Sequence, residues 1–253
     1  MKALILSLAL AHLGMLLSFV LFKIYQKEVI ADIAWAIGIS VQASIYYLFS
    51  TPSPEKNFLM LLIWIWGLRL AGFLYWNRIH LAWQDKRYEK IIQRSKQSAS
   101  QTIFFNYQIQ AFLQWIMGLA WFFIMNHAAF SKASLIASTL LFLIGLSIEV
   151  IADEQLKEFK KNPVTPVCQI GLWQYSRHPN YFGEILIWLS FAFASQNILS
   201  LVSPLFLYGI MRFITGPLTE QTSIEHKGQS YLDYQKTTPM IFPYKLFASR
   251  RSK

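Results

Sequence analysis

Charge is what this chain has least of. Asp, Glu, Lys and Arg make up only 14% of its 253 residues, against 55% hydrophobic residues and a mean hydropathy of +0.35. A soluble domain carries about 25% charged residues, so a fold with water on all sides is excluded. Cysteine is nearly absent as well. The single Cys168 rules out an internal disulfide and any zinc site built on cysteines, and it reads as a small apolar residue in a loop. No internal repeat, low-complexity tract or shift in composition marks a separate soluble domain. The chain therefore reads as a single transmembrane domain over residues 1–253.

What it has instead is a series of apolar runs of about 20 residues, the length that crosses the hydrocarbon core of a bilayer. They fall at about 3–22, 29–49, 57–76, 107–126, 133–152, 180–200 and 201–217. The expected fold is an all-α integral membrane protein, a seven-transmembrane helix bundle. The first run resembles the apolar region of a signal peptide, but its length, its His12 and the runs that follow make it a first membrane helix. His12 itself is expected to hydrogen-bond between helices rather than to bind a ligand.

The net charge of +10 could suggest a nucleic-acid partner, but its distribution argues otherwise. Outside the runs, Lys2, Lys56 and Lys132 fall on one side, and the remaining eighteen Lys and Arg on the other. Such asymmetry places the basic side in the cytoplasm, with the N-terminus outside and the C-terminal tail inside, as in a bacterial inner membrane. The basic excess is topology. The expected partners are the lipid bilayer and a hydrophobic small molecule, with no nucleic acid and no metal.

The stretch Gly171–Glu184, GLWQYSRHPNYFGE, concentrates the polar signals at the mouth of the sixth run. Pro179 suits the first position of a helix, which puts Asn180 and Glu184 on one face. Arg177 and His178 then stand at a helix N-terminus, where free N–H groups and the helix dipole favour anions. The plainer alternative is an interfacial helix start with Arg177 and His178 reaching for headgroups, which leaves a carboxylate inside the apolar run unexplained. On the fifth run, Glu149, Asp153 and Lys157 recur at four-residue spacing on one face. Arg69, among the tryptophans of the third run, is expected to have a carboxylate or carbonyl partner. Gln108, Gln110 and Gln114 read as interhelical hydrogen-bonders. Residues 83–94 read either as an interfacial amphipathic helix, with Trp83, Tyr88, Ile91 and Ile92 facing lipid, or as a solvated loop. With the basic side inward, Asp32, Arg69, Glu149, Asp153, Glu184 and Arg212 fall at one level of the bundle. That level predicts a cytoplasm-facing pocket able to take a phosphate-bearing cofactor beside a lipid substrate.

These residues resemble a known family. GLWQYSRHPNYFGE, the preceding IADEQLKEF, WGLRL in the third run, QDKRY in the loop and the late GQSYLDY followed by FP are similar to the DUF1295 group, bacterial membrane proteins related to steroid 5-alpha-reductase. The resemblance covers most of the chain from Asp32 onward, and the steroid-reductase-like part spans approximately 107–247. NYFGE with an Asp about 27 residues upstream is specific; RHPxY alone is shared with isoprenylcysteine carboxyl methyltransferases. The resemblance implies NADPH in a cytoplasm-facing cavity and reduction of an enone-type double bond. It implies cofactor contacts at Asp153, Asn180 and Glu184, with Glu220 and Tyr234 in a C-terminal cap. Glu149, Lys157, Arg177, His178 and Tyr181 complete the expected cofactor set, the basic members, with Lys160 and Lys161, facing the phosphates.

One departure bears on mechanism. In the steroid enzymes a Glu and a Tyr on the early helices polarise the substrate carbonyl. Here the matching positions hold Asp32 and Trp66, and Trp donates an N–H but cannot act as a general acid. The expected catalytic set is therefore Asp32, Trp66, Arg69 and Tyr75, with Asp32, Arg69 or Tyr75 taking over polarisation. Two other classes remain open at this point: an S-adenosylmethionine-dependent lipid or isoprenylcysteine-type carboxyl methyltransferase, and a non-catalytic transporter or scaffold.

Overall fold

A computed structural model describes residues 1–79 and 86–244, and every regular element among them is helical. They form two compact units: Met1–Leu135 with Ala194–Ser203, and Ile136–Phe193 with the chain from Pro204 onward.

The first unit holds α1 (Lys2–Tyr25), α2 (Ile30–Leu48), α3 (Pro54–Leu74), α4 (Lys86–Arg94), α5 (Ala99–Met117) and α6 (Leu119–Asn126). Helix α3 starts where Ser53 accepts the N–H of Lys56 and Pro54 occupies the first turn. A capping box between Ser98 and Gln101 starts α5, eight residues before the apolar run, because capping chemistry rather than hydropathy sets the end of a helix. Helix α2 packs against α1, α3, α5 and α6.

Glycines let polar side chains in at these crossings. A Cβ on Gly38 would lie 1.9 Å from Gln114 Nε2, which donates to the carbonyls of Ala34 and Trp35. At Gly118 it would meet Gln42, whose amide donates to the Trp115 carbonyl. The expected glutamine role thus holds, and His12 Nδ1 is 2.8 Å from Gln108 Oε1, an interhelical bond as expected.

The second unit holds the rest of α7 (Lys132–Lys161), a 3₁₀ turn at Gly171–Gln174 and α8 (Pro179–Ser195). Helices α9 (Val202–Ile210), α10 (Gly216–Lys227) and α11 (Gln229–Thr237) follow, the first two joined through a π-helical turn at Met211–Thr215.

Among the described residues, five helical stretches are long and apolar enough to cross a membrane: Lys2–Tyr25, Pro54–Ile79, Ala99–Asn126, Lys132–Lys161 and Ile198–Lys227. The other two expected runs correspond to α2 and α8. Helix α8 has only 17 residues, and the run expected to reach residue 200 stops at Ser195. There Gln196 turns left-handed at φ 51°, and Asn197 accepts the N–H of Leu199 to begin a new turn. Helix α2 has 19 residues, but Asp32, Ser40 and Gln42 lower its apolar character.

The segment 83–94 also differs from expectation. Trp83, with Gln84 and Asp85 of the QDKRY element, lies outside the described residues, as does the tail from Lys245. The remainder forms α4, but Tyr88 is buried beside Tyr107, Met15 and Phe22, with Ile92 packed on the same cluster, instead of facing lipid. Gln110 donates to the Tyr88 hydroxyl, so this polar tip is satisfied inside the fold.

Candidate cofactor site

Two glycines fix how α7 and α8 cross. A Cβ on Gly183 would lie 2.6 Å from the Gly145 carbonyl oxygen and 2.8 Å from the Glu149 backbone nitrogen; one on Gly145 would lie 2.7 Å from the Gly183 oxygen. Only backbone meets backbone at that distance, so the acidic face of α7 lies directly against the polar face of α8. Phe142 and Phe191 meet on the same two helices, with centroids 5.7 Å apart.

This crossing brings Asp153 and Asn180 together across 27 residues of sequence, Asn180 Nδ2 lying 3.5 Å from Asp153 Oδ1. The opposite end of the amide is the unusual part. Asn180 Oδ1 is buried and accepts no hydrogen bond among the described residues. Glu149, Asp153 and Glu184 are all buried, and Glu184 Oε1 accepts the indole N–H of Trp188 at 3.0 Å. Lys157, one turn beyond Asp153, is on the surface and bonds Glu154 at 3.2 Å.

Around the start of α8 the chain folds back on itself. The Arg177 guanidinium donates from Nε and Nη2 to the two oxygens of Glu220, at 2.6 and 3.0 Å, and from Nη1 to the carbonyls of Gln235 and Thr238. His178 Nε2 lies 3.1 Å from Glu220 Oε1, and its ring stacks on Tyr181 at 4.7 Å. Gln235 adds a fourth donor to the same carboxylate. The backbone N–H groups of Arg177 and His178 donate to the carbonyls of Pro239 and Met240. An open anion seat is expected at these two residues, and these donors are taken by protein acceptors. Their donors hold the C-terminal segment 235–241 as a strap, because Glu220 and a row of carbonyls compete successfully for them.

Tyr234 serves the same join. Its buried hydroxyl donates to the carbonyls of Trp173 and Ser176. Burial pushes the phenols of Tyr231 and Tyr234 well above the ordinary tyrosine range, so both remain protonated donors at neutral pH. Burial likewise raises the Cys168 thiol, which packs with Ala152 and Trp173 as an inert apolar residue.

The expected catalytic residues all lie in the first unit. Asp32, in the first turn of α2, forms an ion pair with Arg78 Nη1 at 3.1 Å. Arg78 follows α3 in the π-helical turn Tyr75–Ile79, and no motif or spacing in the sequence links it to Asp32. Trp66 is fully buried, Arg69 lies 5.3 Å from the centre of the Phe73 ring, and Tyr75 is half exposed against the edge of Trp76.

The chain has counterparts among known proteins. A family model described as a protein of unknown function (DUF1295) matches residues 18–238. The chain belongs to the DUF1295 family. Among curated proteins, this DUF1295 chain is 31% identical over 108 residues to the 3-oxo-5-alpha-steroid 4-dehydrogenase 1 of Mus musculus, covering 42% of the chain and 40% of that protein. It is 31% identical over 84 residues to the Delta(14)-sterol reductase of Arabidopsis thaliana, covering 28% and 23%. A third match, 34% over 97 residues, is to the Delta(14)-sterol reductase of Saccharomyces cerevisiae, covering 36% and 21%. The DUF1295 chain thus aligns with less than half the length of each of these relatives.

Proposed function

We infer that this DUF1295 protein is a membrane-bound, NADPH-dependent reductase of a conjugated carbon–carbon double bond in a lipid or steroid-like substrate. Asn180 carries the reading. Its amide is held at one end by Asp153, and its buried oxygen at the other end has no donor among the described residues. A buried acceptor left unfilled is costly, and such orphans mark places where a ligand completes the bonding. With the carboxylates of Glu149 and Glu184 on the same two helices, the donor set is rich in acceptors, which fits the –NH₂ of a nicotinamide carboxamide.

When bound, NADPH supplies the hydride for conjugate reduction. The chain supplies orientation. Asp153 fixes the Asn180 amide, Trp188 fixes the Glu184 carboxylate, and the two α8 residues share the face that would select one side of the ring. Arg177, His178, Glu220 and Tyr234 act one step back by holding the strap. The conjugated oxygen of the substrate needs a donor as negative charge builds on it. Arg78 held by Asp32, Arg69 and the Tyr75 phenol are the candidates in the first unit, with Tyr75 able to deliver a proton. Relatives named for a steroid and a sterol support this substrate class. In the same reading α2 and α8 also cross the bilayer, giving seven crossings with the N-terminus outside and a cofactor cavity open to the cytoplasm.

The test is thermal protection of the purified protein in detergent, since a ligand that binds only the folded state stabilises it by mass action. NADPH should raise the melting temperature and S-adenosylmethionine should not. Protection by S-adenosylmethionine alone would overturn the reductase reading in favour of a methyltransferase.

A further inference from the structure

With Arg177 bonded to Glu220, Arg212 is a cation of the second unit with no carboxylate partner among the described residues. A cavity of about 350 Å³ opens beside the strap, lined by Arg177, Arg212 and Lys236 and by the rings of Tyr208, Phe242 and Tyr244. None of the described residues lining it is acidic. Arg212 stands on the π-helical turn Met211–Thr215, a distortion of a kind that recurs at functional sites. Its guanidinium meets the Met240 sulfur at 3.6 Å and the Phe213 ring at 5.6 Å, neither of which neutralises it. Met240 is held in turn, because a Cβ on Gly216 would lie 2.1 Å from its methyl group. Lys236 is engaged by a surface pair with Asp233 at 2.9 Å, an interaction weak enough to be exchanged. Tyr208 and Phe242, 5.6 Å apart, form an aromatic wall beside these cations.

We propose that this cavity binds a phosphate-bearing ligand, gripped by Arg212 and Lys236 and flanked by the aromatic wall. The fork of an arginine matches phosphate oxygens, and an ammonium adds a second charge. A cavity of this size admits a phosphate together with the small group that carries it. Two sources share that chemistry: an adenosine phosphate and the headgroup of an anionic phospholipid. The first is the adenosine-phosphate end of NADPH and so rests on the reductase reading; neither contains a nicotinamide ring, so a failure here and a failure at Asn180 are told apart.

The experiment measures thermal shift in a phosphate-free, uncharged detergent with two probes, adenosine 2′,5′-bisphosphate and dihexanoyl phosphatidylglycerol. The variants are Arg212→Gln, Lys236→Gln and, as a control, Lys132→Gln, an exposed residue at the start of α7 outside the cavity lining. At least one probe should stabilise the parent protein. Its apparent affinity should fall about tenfold or more in Arg212→Gln, by less in Lys236→Gln and not at all in the control, as expected for loss of charge-assisted bonds. Which probe binds identifies the source. Because Arg212 is exposed, its variant should keep the parent melting temperature without probe. No stabilisation by either probe, or equal affinity in Arg212→Gln, would overturn the proposal.

Discussion

Arg177 and Asn180 are neighbours in sequence but answer to different partners. Arg177 is bound into a buried, four-donor arrangement around Glu220, so removing the carboxylate leaves a cation without its counter-charge. Glu220→Gln should therefore destabilise the protein by about 3 kcal/mol, within the range for breaking a buried ion pair from one side. The check is the melting temperature, with Arg177→Met/Glu220→Met as the companion: the double variant should be less destabilised than the two single changes added together. Asn180 was the more legible of the two. The resemblance to the steroid-reductase relatives implies that Asp153 and Asn180 share a site, and the α7–α8 crossing puts them in contact. Arg177 could not be read that way, because its partner lies 43 residues downstream and no periodicity links the two. Arg78 was missed for a similar reason, since a π-helical turn after α3 aims it at Asp32.

Among the elements, the α7–α8 crossing carries the most consequence, because it sets the spacing of every acidic and amide group in the candidate site. Gly183→Ala pushes a methyl into the Gly145 carbonyl and the Glu149 nitrogen, both backbone, so the helices must part. A loss of about 1–3 kcal/mol is expected, as for other overpacked contacts, together with weaker NADPH binding. Gly209→Ala in α9, where nothing lies within 4 Å, should leave both unchanged, and equal loss in the two variants would refute the crossing as the cause. The strap makes a separate prediction about pH. Tyr231 and Tyr234 have phenols raised above the unfolded value near 10. Their contribution is therefore fully present below about pH 10 and is lost as pH climbs further, because only the unfolded chain then releases those protons easily. Urea unfolding followed from pH 8 to 11 should show stability flat at first and then falling, with a shallower fall in Tyr234→Phe. The helix type of these elements was plain from their apolar runs. Their ends were not, because Ser98, Gln196 and Asn197 set them by capping and backbone turns that hydropathy does not register.

At the scale of the molecule, the low charge content already required a helical membrane protein, and five long apolar helices agree with it. Seven crossings rest on α2 and α8 spanning as well. Cysteines introduced near Lys56 and Lys132 should label from outside, and one near Lys90 only after permeabilisation; the reverse pattern would remove the cytoplasm-facing cavity. The central claim, that α7 and α8 hold a nicotinamide cofactor, is tested most directly by measuring NADPH affinity and melting temperature together in Glu184→Gln. The amide keeps an oxygen for the Trp188 indole, so the fold should survive, while loss of the charge and of one acceptor should weaken NADPH binding about tenfold or more. A protein with the parent melting temperature and lost affinity is the predicted result. A destabilised protein that binds NADPH as tightly as the parent would contradict it, since Glu184 would then serve only the fold.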